Sequence, residues 1–208
     1  MRIDRIEASR HKKGRVLVFL EDGACLKITE QELLDFGLRS GDDLSAPQLT
    51  KLKEAAGLSD TKATAADLIG KRAMSRASLE KKLRDKGASE AEARYAGEWL
   101  EAIGALNDAE YAAILVRHYG RMGYGPRYVQ EKLREKGVPR ELWEDALDAL
   151  PEAAEQIDRF LAAKLQGRSP DPREKKRLTD ALLRRGYNWG DVKAGWNRYG
   201  AEEFDGEL

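Results

Sequence analysis

The first apolar positions of the chain fall in clustered runs rather than along a helical stripe. Residues 15–28 read RVLVFLEDGACLKI, two apolar runs at 15–20 and 24–28 joined through Asp22-Gly23. An Asp-Gly pair between such runs predicts a hairpin with a type I′ turn, in which both turn residues take positive φ. Residues 3–9 add an edge strand that turns back through HKKG at 11–14. The period then changes. Thr29 with Glu32 makes a capping box ahead of a short helix ending near Gly37. Ser45 with Gln48 makes a second box, with Pro47 in the first turn, and this helix is expected to stop at Gly57, a good C′ residue. Residues 1–58 thus predict a three-stranded meander and two short helices.

Beyond residue 58 the pattern repeats. LEKKLRDKGASEAEARYAGEWL begins at Leu79, VQEKLREKGVPRELWEDALDAL at Val129 and LTDALLRRGYNWGDVKAGWNRY at Leu178. Their glycines fall at 87, 137 and 186, spaced 50 and 49 residues apart. A fixed period of this kind marks repeated supersecondary units. Eight and four residues before each glycine stand Leu79/Leu83, Val129/Leu133 and Leu178/Leu182, the i,i+4 face of a helix. The glycine suits the left-handed C′ position, and the cation before it (Lys86, Lys136, Arg185) complements the negative helix end. A new helix follows, started by Ser89 with Glu92, by Pro139 at N1, and by Asn188 with Asp191. Another helix precedes each pair: 65–74, then Tyr111/Ala112/Leu115/Val116/Tyr119, then Ile157/Phe160/Leu161/Leu165. Ser75, Gly125 and Asp171 (boxed with Glu174, Pro172 at N1) cap the middle helices.

The expectation is a mainly α chain of three tandem three-helix repeats, 59–108, 109–152 and 153–200. They follow the small β-hairpin-containing unit 1–58 and precede an acidic tail, 201–208.

Composition narrows the function. Of 208 residues, 36% are charged, but 37 basic residues balance 37 acidic ones, so the whole chain has no bias toward polyanions. Local patches remain. Segment 71–86 carries Lys71, Arg72, Arg76, Lys81, Lys82, Arg84 and Lys86 against Glu80 and Asp85. Segment 168–185 carries seven cations against three carboxylates, and Arg10, Lys12, Lys13 and Arg15 form a third cluster. Cys25 is the one cysteine, in an apolar run, and reads as a small buried hydrophobe. No apolar run approaches a membrane span and the N-terminus has no signal-peptide core, so a cytoplasmic protein is expected. GYG at 123–125 lacks the spacing of a phosphate loop and follows a helix rather than a strand. His11 and His118 have no second ligand at metal spacing, and the carboxylates are interleaved with Lys and Arg. The expectation is a non-enzyme without cofactor or metal.

Four stretches carry a family resemblance. GYGPRYVQEKLREKGV in the middle repeat resembles the signature of the RecX family, regulators of the RecA recombinase. MSRASLEKKLRDKG at 74–87 resembles it less closely, and KKRLTDALLRRGYNWGDVKAGW at 175–196 resembles the third-repeat pattern. GALNDAEYAAILV at 104–116 is similar to the family's inter-repeat linker, with Ala105 and Asn107 where tyrosine and aspartate are usual. The resemblance covers about residues 61–200. It implies an elongated, curved helical protein, without catalytic residues, that lies along the groove of RecA filaments and inhibits recombinase activity. The implied partners are the RecA filament and, more weakly, its single-stranded DNA, with no membrane and a monomeric chain.

Candidate contacts are Arg76, Lys82 and Lys86 in the first repeat; Tyr124, Arg127, Lys132 and Arg134 in the second; and Lys175, Lys176 and Arg184 in the third. Their role is electrostatic and positional. Of the aromatics, Tyr95, Tyr128, Trp143, Trp189 and Trp196 read as packing, and Tyr124, between two glycines, as exposed. A rival reading takes each third helix as a groove-reading helix of an autonomous DNA-binding protein. The acidic sequences SEAEARYAGEWLEA and PRELWEDALDAL argue against it. An inert helical scaffold is the third reading.

Overall fold

The computed structural model describes residues 1–10 and 12–200; His11 and the expected acidic tail lie outside the described residues. The chain divides into two compact units between Leu106 and Asn107.

The first unit begins with β1 (Ile3–Ala8), β2 (Arg15–Leu20) and β3 (Cys25–Thr29), an antiparallel meander in the order β1-β2-β3. Its inner face carries Ile3, Val16, Val18, Leu20 and Ile28, all buried. The β2–β3 turn differs from the type I′ expectation. The Gly23 amide donates to Leu20 O at 2.9 Å across Glu21 and Asp22, and only Gly23 takes a positive φ, 84°. This is a three-residue loop, a type I turn closed by a left-handed glycine. Asp22 instead accepts from the Ala24 amide at 3.0 Å. Cys25 pairs with Phe19 on the outer face and is exposed, not buried as expected. The alternation of a two-faced strand, not the local apolar run, decides its side.

Thr29 and Ser45 make the expected capping boxes for α1 (Glu30–Asp35) and α2 (Ala46–Lys71). α2 does not stop at Gly57. It runs on for 26 residues and supplies the helix expected at 65–74. Leu52 and Ala56 bury against the sheet core, and Ala65 joins the next core. At about 100° per residue, the buried pair Thr61/Ala65 lies about 180° round the axis from Leu52/Ala56. The helix changes buried face midway, and that break in phase reads as an end. Gly57 is small for another reason: a Cβ there would run into the Glu92 carboxylate of the next helix pair. That pair is α3 (Arg76–Asp85) and α4 (Glu90–Ala102), which with α2 enclose Met74, Leu79, Leu83, Ala93, Ala96 and Leu100.

The second unit holds α5 (Asp108–Arg121), α6 (Pro126–Glu135), α7 (Trp143–Leu147), α8 (Ala153–Leu165), α9 (Pro172–Arg184) and α10 (Trp189–Arg198). Pro139 is not N1 of an α-helix. It caps a 3-10 turn, Arg140–Leu142, that leads into the short α7. Asp171 caps α9, but the reciprocal half of the expected box is replaced: both Glu174 oxygens accept from Arg168, at 2.6 and 2.7 Å. Two cores result, one around Val116, Val129 and Leu133, the other around Leu161, Leu182 and Trp196. Among the described residues no helix is long and apolar enough to cross a membrane.

Candidate functional site

Within the second unit, helix ends of α5, α6 and α9 meet. Gly125 occupies the N-cap of α6 and offers no side-chain acceptor, while Pro126 has no amide hydrogen. The amides of Gly125 and Arg127 are left without intrahelical partners. They donate to the carbonyls of Arg185 and Gly186, at 2.7 and 3.2 Å. Those acceptors are the C-cap of α9 and the residue after it. The positive end of one helix thus satisfies the negative end of another. The contact is backbone on backbone: a Cβ on Gly125 would sit 2.8 Å from the Gly186 carbonyl.

The flanking side chains brace the same corner. The Arg185 guanidinium donates to Met122 O at 3.2 Å and Gly123 O at 3.3 Å, and the Tyr187 hydroxyl donates to Gly123 O at 3.1 Å. These are carbonyls released at the end of α5. Burial pushes the Tyr187 phenol up, further from ionisation than an ordinary tyrosine. Arg185 also lies over the Phe160 and Tyr124 rings, at 5.0 and 5.7 Å.

Tyr124 is therefore not the exposed side chain expected of it. It is half-buried and stacks on Tyr128, centroids 4.0 Å apart and planes 13° from parallel, with Tyr119 edge-on to both. Tyr95, expected to pack, is the exposed one, with Lys62 over its ring at 5.2 Å.

The candidate cations differ in what already holds them. Arg76 is half-buried among carboxylates, donating to Glu80 at 2.8 Å, Glu101 at 2.6 Å and Glu98 at 3.4 Å. The Glu80 hydrogen bond, with the nearby carboxylates, raises its pKa despite partial burial. A Cβ on Gly97 would lie 3.1 Å from Glu80 Oε1, the carboxylate that accepts from Arg76. Lys132 is bonded to Glu135 at 2.7 Å and lies 5.2 Å over Tyr128; Arg134 is bonded to Glu131 at 2.6 Å. Lys175 lies 5.8 Å over Trp196.

Lys82, Lys86, Arg127, Lys176 and Arg184 make no side-chain hydrogen bond or ion pair among the described residues, and all but the half-buried Lys82 are exposed. The joint puts Arg127 against Gly186, two residues from Arg184. In the first unit, the Asp67 carboxyl is held below the usual range first by a hydrogen bond from Lys71, then by the charges of Lys71, Lys12 and Lys86. The bracing roles of Arg185 and Tyr187 were not legible: the carbonyls they reach lie more than 60 residues away in the chain.

Residues 107–147 match the family described as RecX, second three-helix domain. Regulatory protein RecX of Pseudomonas putida (strain W619) is 33% identical over 126 residues, which cover 60% of this chain and 81% of that protein. Regulatory protein RecX of Bacillus licheniformis is 24% identical over 211 residues, covering 98% of this chain and 80% of that one. A crystal structure of regulatory protein RecX superposes with a TM-score of 0.72 at 23% identity, over 94% of this chain and 98% of the other, a likeness of fold. The family match opens at Asn107, the residue that caps α5 and begins the second unit, and it runs past Gly125 and Arg127, one side of the glycine joint, to the end of α7. On this agreement of sequence and architecture, the chain belongs to the RecX family.

Proposed function

We propose that the chain binds RecA recombinase filaments on single-stranded DNA and inhibits their recombinase and ATPase activity. It works in the cytoplasm as a monomer, by binding rather than by catalysis. Its relatives are named regulatory proteins, which supports a regulatory role. Within the molecule, the reading rests on the α6–α9 joint. There the backbone holds two helix ends rigidly together, and the unpaired, exposed Arg127 and Arg184 flank them. Cations held on rigid helix ends meet an anionic, repeating surface without first paying the entropy of ordering a loop. Binding that bridges neighbouring protomers would bias a filament toward a closed or disassembling state.

The test is DNA-stimulated ATP hydrolysis and strand exchange by RecA while this protein is titrated at substoichiometric ratios. Inhibition of both is the expected outcome, and no effect at any ratio sinks the reading. A steep, salt-dependent affinity for duplex DNA alone, with sequence preference, would favour an autonomous DNA-binding protein instead.

A further inference from the structure

A second surface lies on α5, apart from every residue discussed so far as a contact. Arg117 and Arg121 stand one turn apart and are exposed, and neither makes a side-chain hydrogen bond, ion pair or ring contact among the described residues. Between them the helix comes close to the corner that joins α7 to α8. Gly120 is buried there, and a Cβ on it would lie 3.0 Å from Pro151 Cδ and 3.2 Å from Leu150 Cδ2. The two arginines, with Ala149 and Pro151, line a groove of about 280 Å³. On the same helix Ile114, one turn before Arg117 and on the same face, is 40% exposed, and Met122, next to Arg121 in the chain, is 51% exposed.

This composition selects a ligand class. Two guanidinium forks at i,i+4 can grip one carboxylate or one phosphate bidentately. The surroundings distinguish the two. Ala149 and Pro151 form the far wall, and the chain on either side of them carries exposed Glu144, Asp145, Asp148, Glu152 and Glu155. A nucleic-acid strand, with a charge at every phosphate, would be repelled along that wall. A protein segment can present a single carboxylate to the arginines and an apolar neighbour to Pro151 and Ile114. Arginine beside exposed isoleucine, methionine and proline is also the make-up of a protein-contact core rather than of a phosphate track.

We propose that the groove between α5 and the α7–α8 corner is a protein-docking site. It takes a segment of the RecA filament protein whose carboxylate is clamped by Arg117 and Arg121 while an adjacent apolar side chain packs against Pro151 and Ile114. In naming the filament protein as that partner, the proposal rests on the functional reading above.

The test titrates full-length wild type, Arg117→Glu/Arg121→Glu, Arg117→Gln/Arg121→Gln and Ile114→Ser onto RecA filaments assembled on a labelled single-stranded oligonucleotide, and onto that oligonucleotide alone. Both double variants should bind filaments about tenfold or more weakly, and Ile114→Ser measurably more weakly, with helical content and affinity for the bare oligonucleotide unchanged. Equal filament binding by wild type and variants overturns the site. So does a parallel loss on bare oligonucleotide, which would make it a nucleic-acid contact, or loss of helicity in both double variants, which would make the arginines structural. If wild type itself ignores filaments, the functional reading falls and a second readout decides the groove. The side-chain Nε signals of Arg117 and Arg121 are followed during addition of an acetylated leucine–glutamate–leucine amide. Saturable shifts that the glutamine version does not produce uphold the site; their absence overturns it.

Discussion

Gly125 and Gly186 pack backbone against backbone, so that the first turn of α6 is capped by the last carbonyls of α9. Gly125 has φ −85°, a conformation open to any residue. Its requirement is for space, not for left-handed backbone. Gly125→Ala should therefore destabilise the chain by about 1–3 kcal/mol, the range for overpacking a closed contact. Hydrogen exchange at the Arg127 amide should rise with it. Gly104→Ala is the contrast. Its φ is 70° and nothing stands near a Cβ there, so it should lose about 1–2 kcal/mol from backbone strain alone and leave the Arg127 amide protected.

The unbroken course of α2 predicts that Gly57→Pro costs about 3 kcal/mol or more, because proline removes an internal helix hydrogen bond and clashes with the preceding turn. A helix that ended at Gly57 would tolerate the change. Chemical denaturation with circular dichroism decides between them.

Arg76 should prove structural before it proves functional. Its guanidinium ties α3 to the carboxylates of α4 across Gly97. Arg76→Gln should lower stability by about 1–2 kcal/mol, less than a fully buried charge pair because the site is partly exposed. The check is the urea midpoint, with Glu101→Gln showing a smaller shift.

On α6 the two arginines should separate. Arg127 is unpaired, whereas Arg134 already holds Glu131. Arg127→Glu should weaken filament binding about tenfold, and Arg134→Glu less, with helical content unchanged. The readout is filament affinity at two salt concentrations, since exposed charges are screened.

Glu174 offers a test by pH. Hydrogen bonding from Arg168, then its charge, holds the Glu174 carboxyl below the usual range against partial burial. A depressed carboxylate stabilises the fold above its unfolded value, and this stabilisation is lost as pH falls through the folded value. Carboxyl carbon shifts should place the Glu174 midpoint below the ordinary glutamate range. Arg168→Gln should raise it.

Where most helices begin and where the chain turns is written locally in the residues. Side-chain caps at Thr29, Ser45, Ser75, Ser89, Asp171 and Asn188 act within three residues, and so do the left-handed glycines at 87, 123, 137 and 186. Such interactions are local, so a one-dimensional pattern contains them whole. The apolar i,i+4 pairs were legible for the same reason, as Leu79/Leu83, Val129/Leu133 and Leu178/Leu182 are all buried. The packing of distant segments set the rest. It made Gly57 a packing glycine inside a helix that changes faces, turned Cys25 outward, drew Tyr124 into a stack and spent Arg76 on three carboxylates. It also gave Gly125 an acceptor from a helix some 60 residues on. A residue's burial and its bonding partners belong to pairs of segments, and no single segment records its partner.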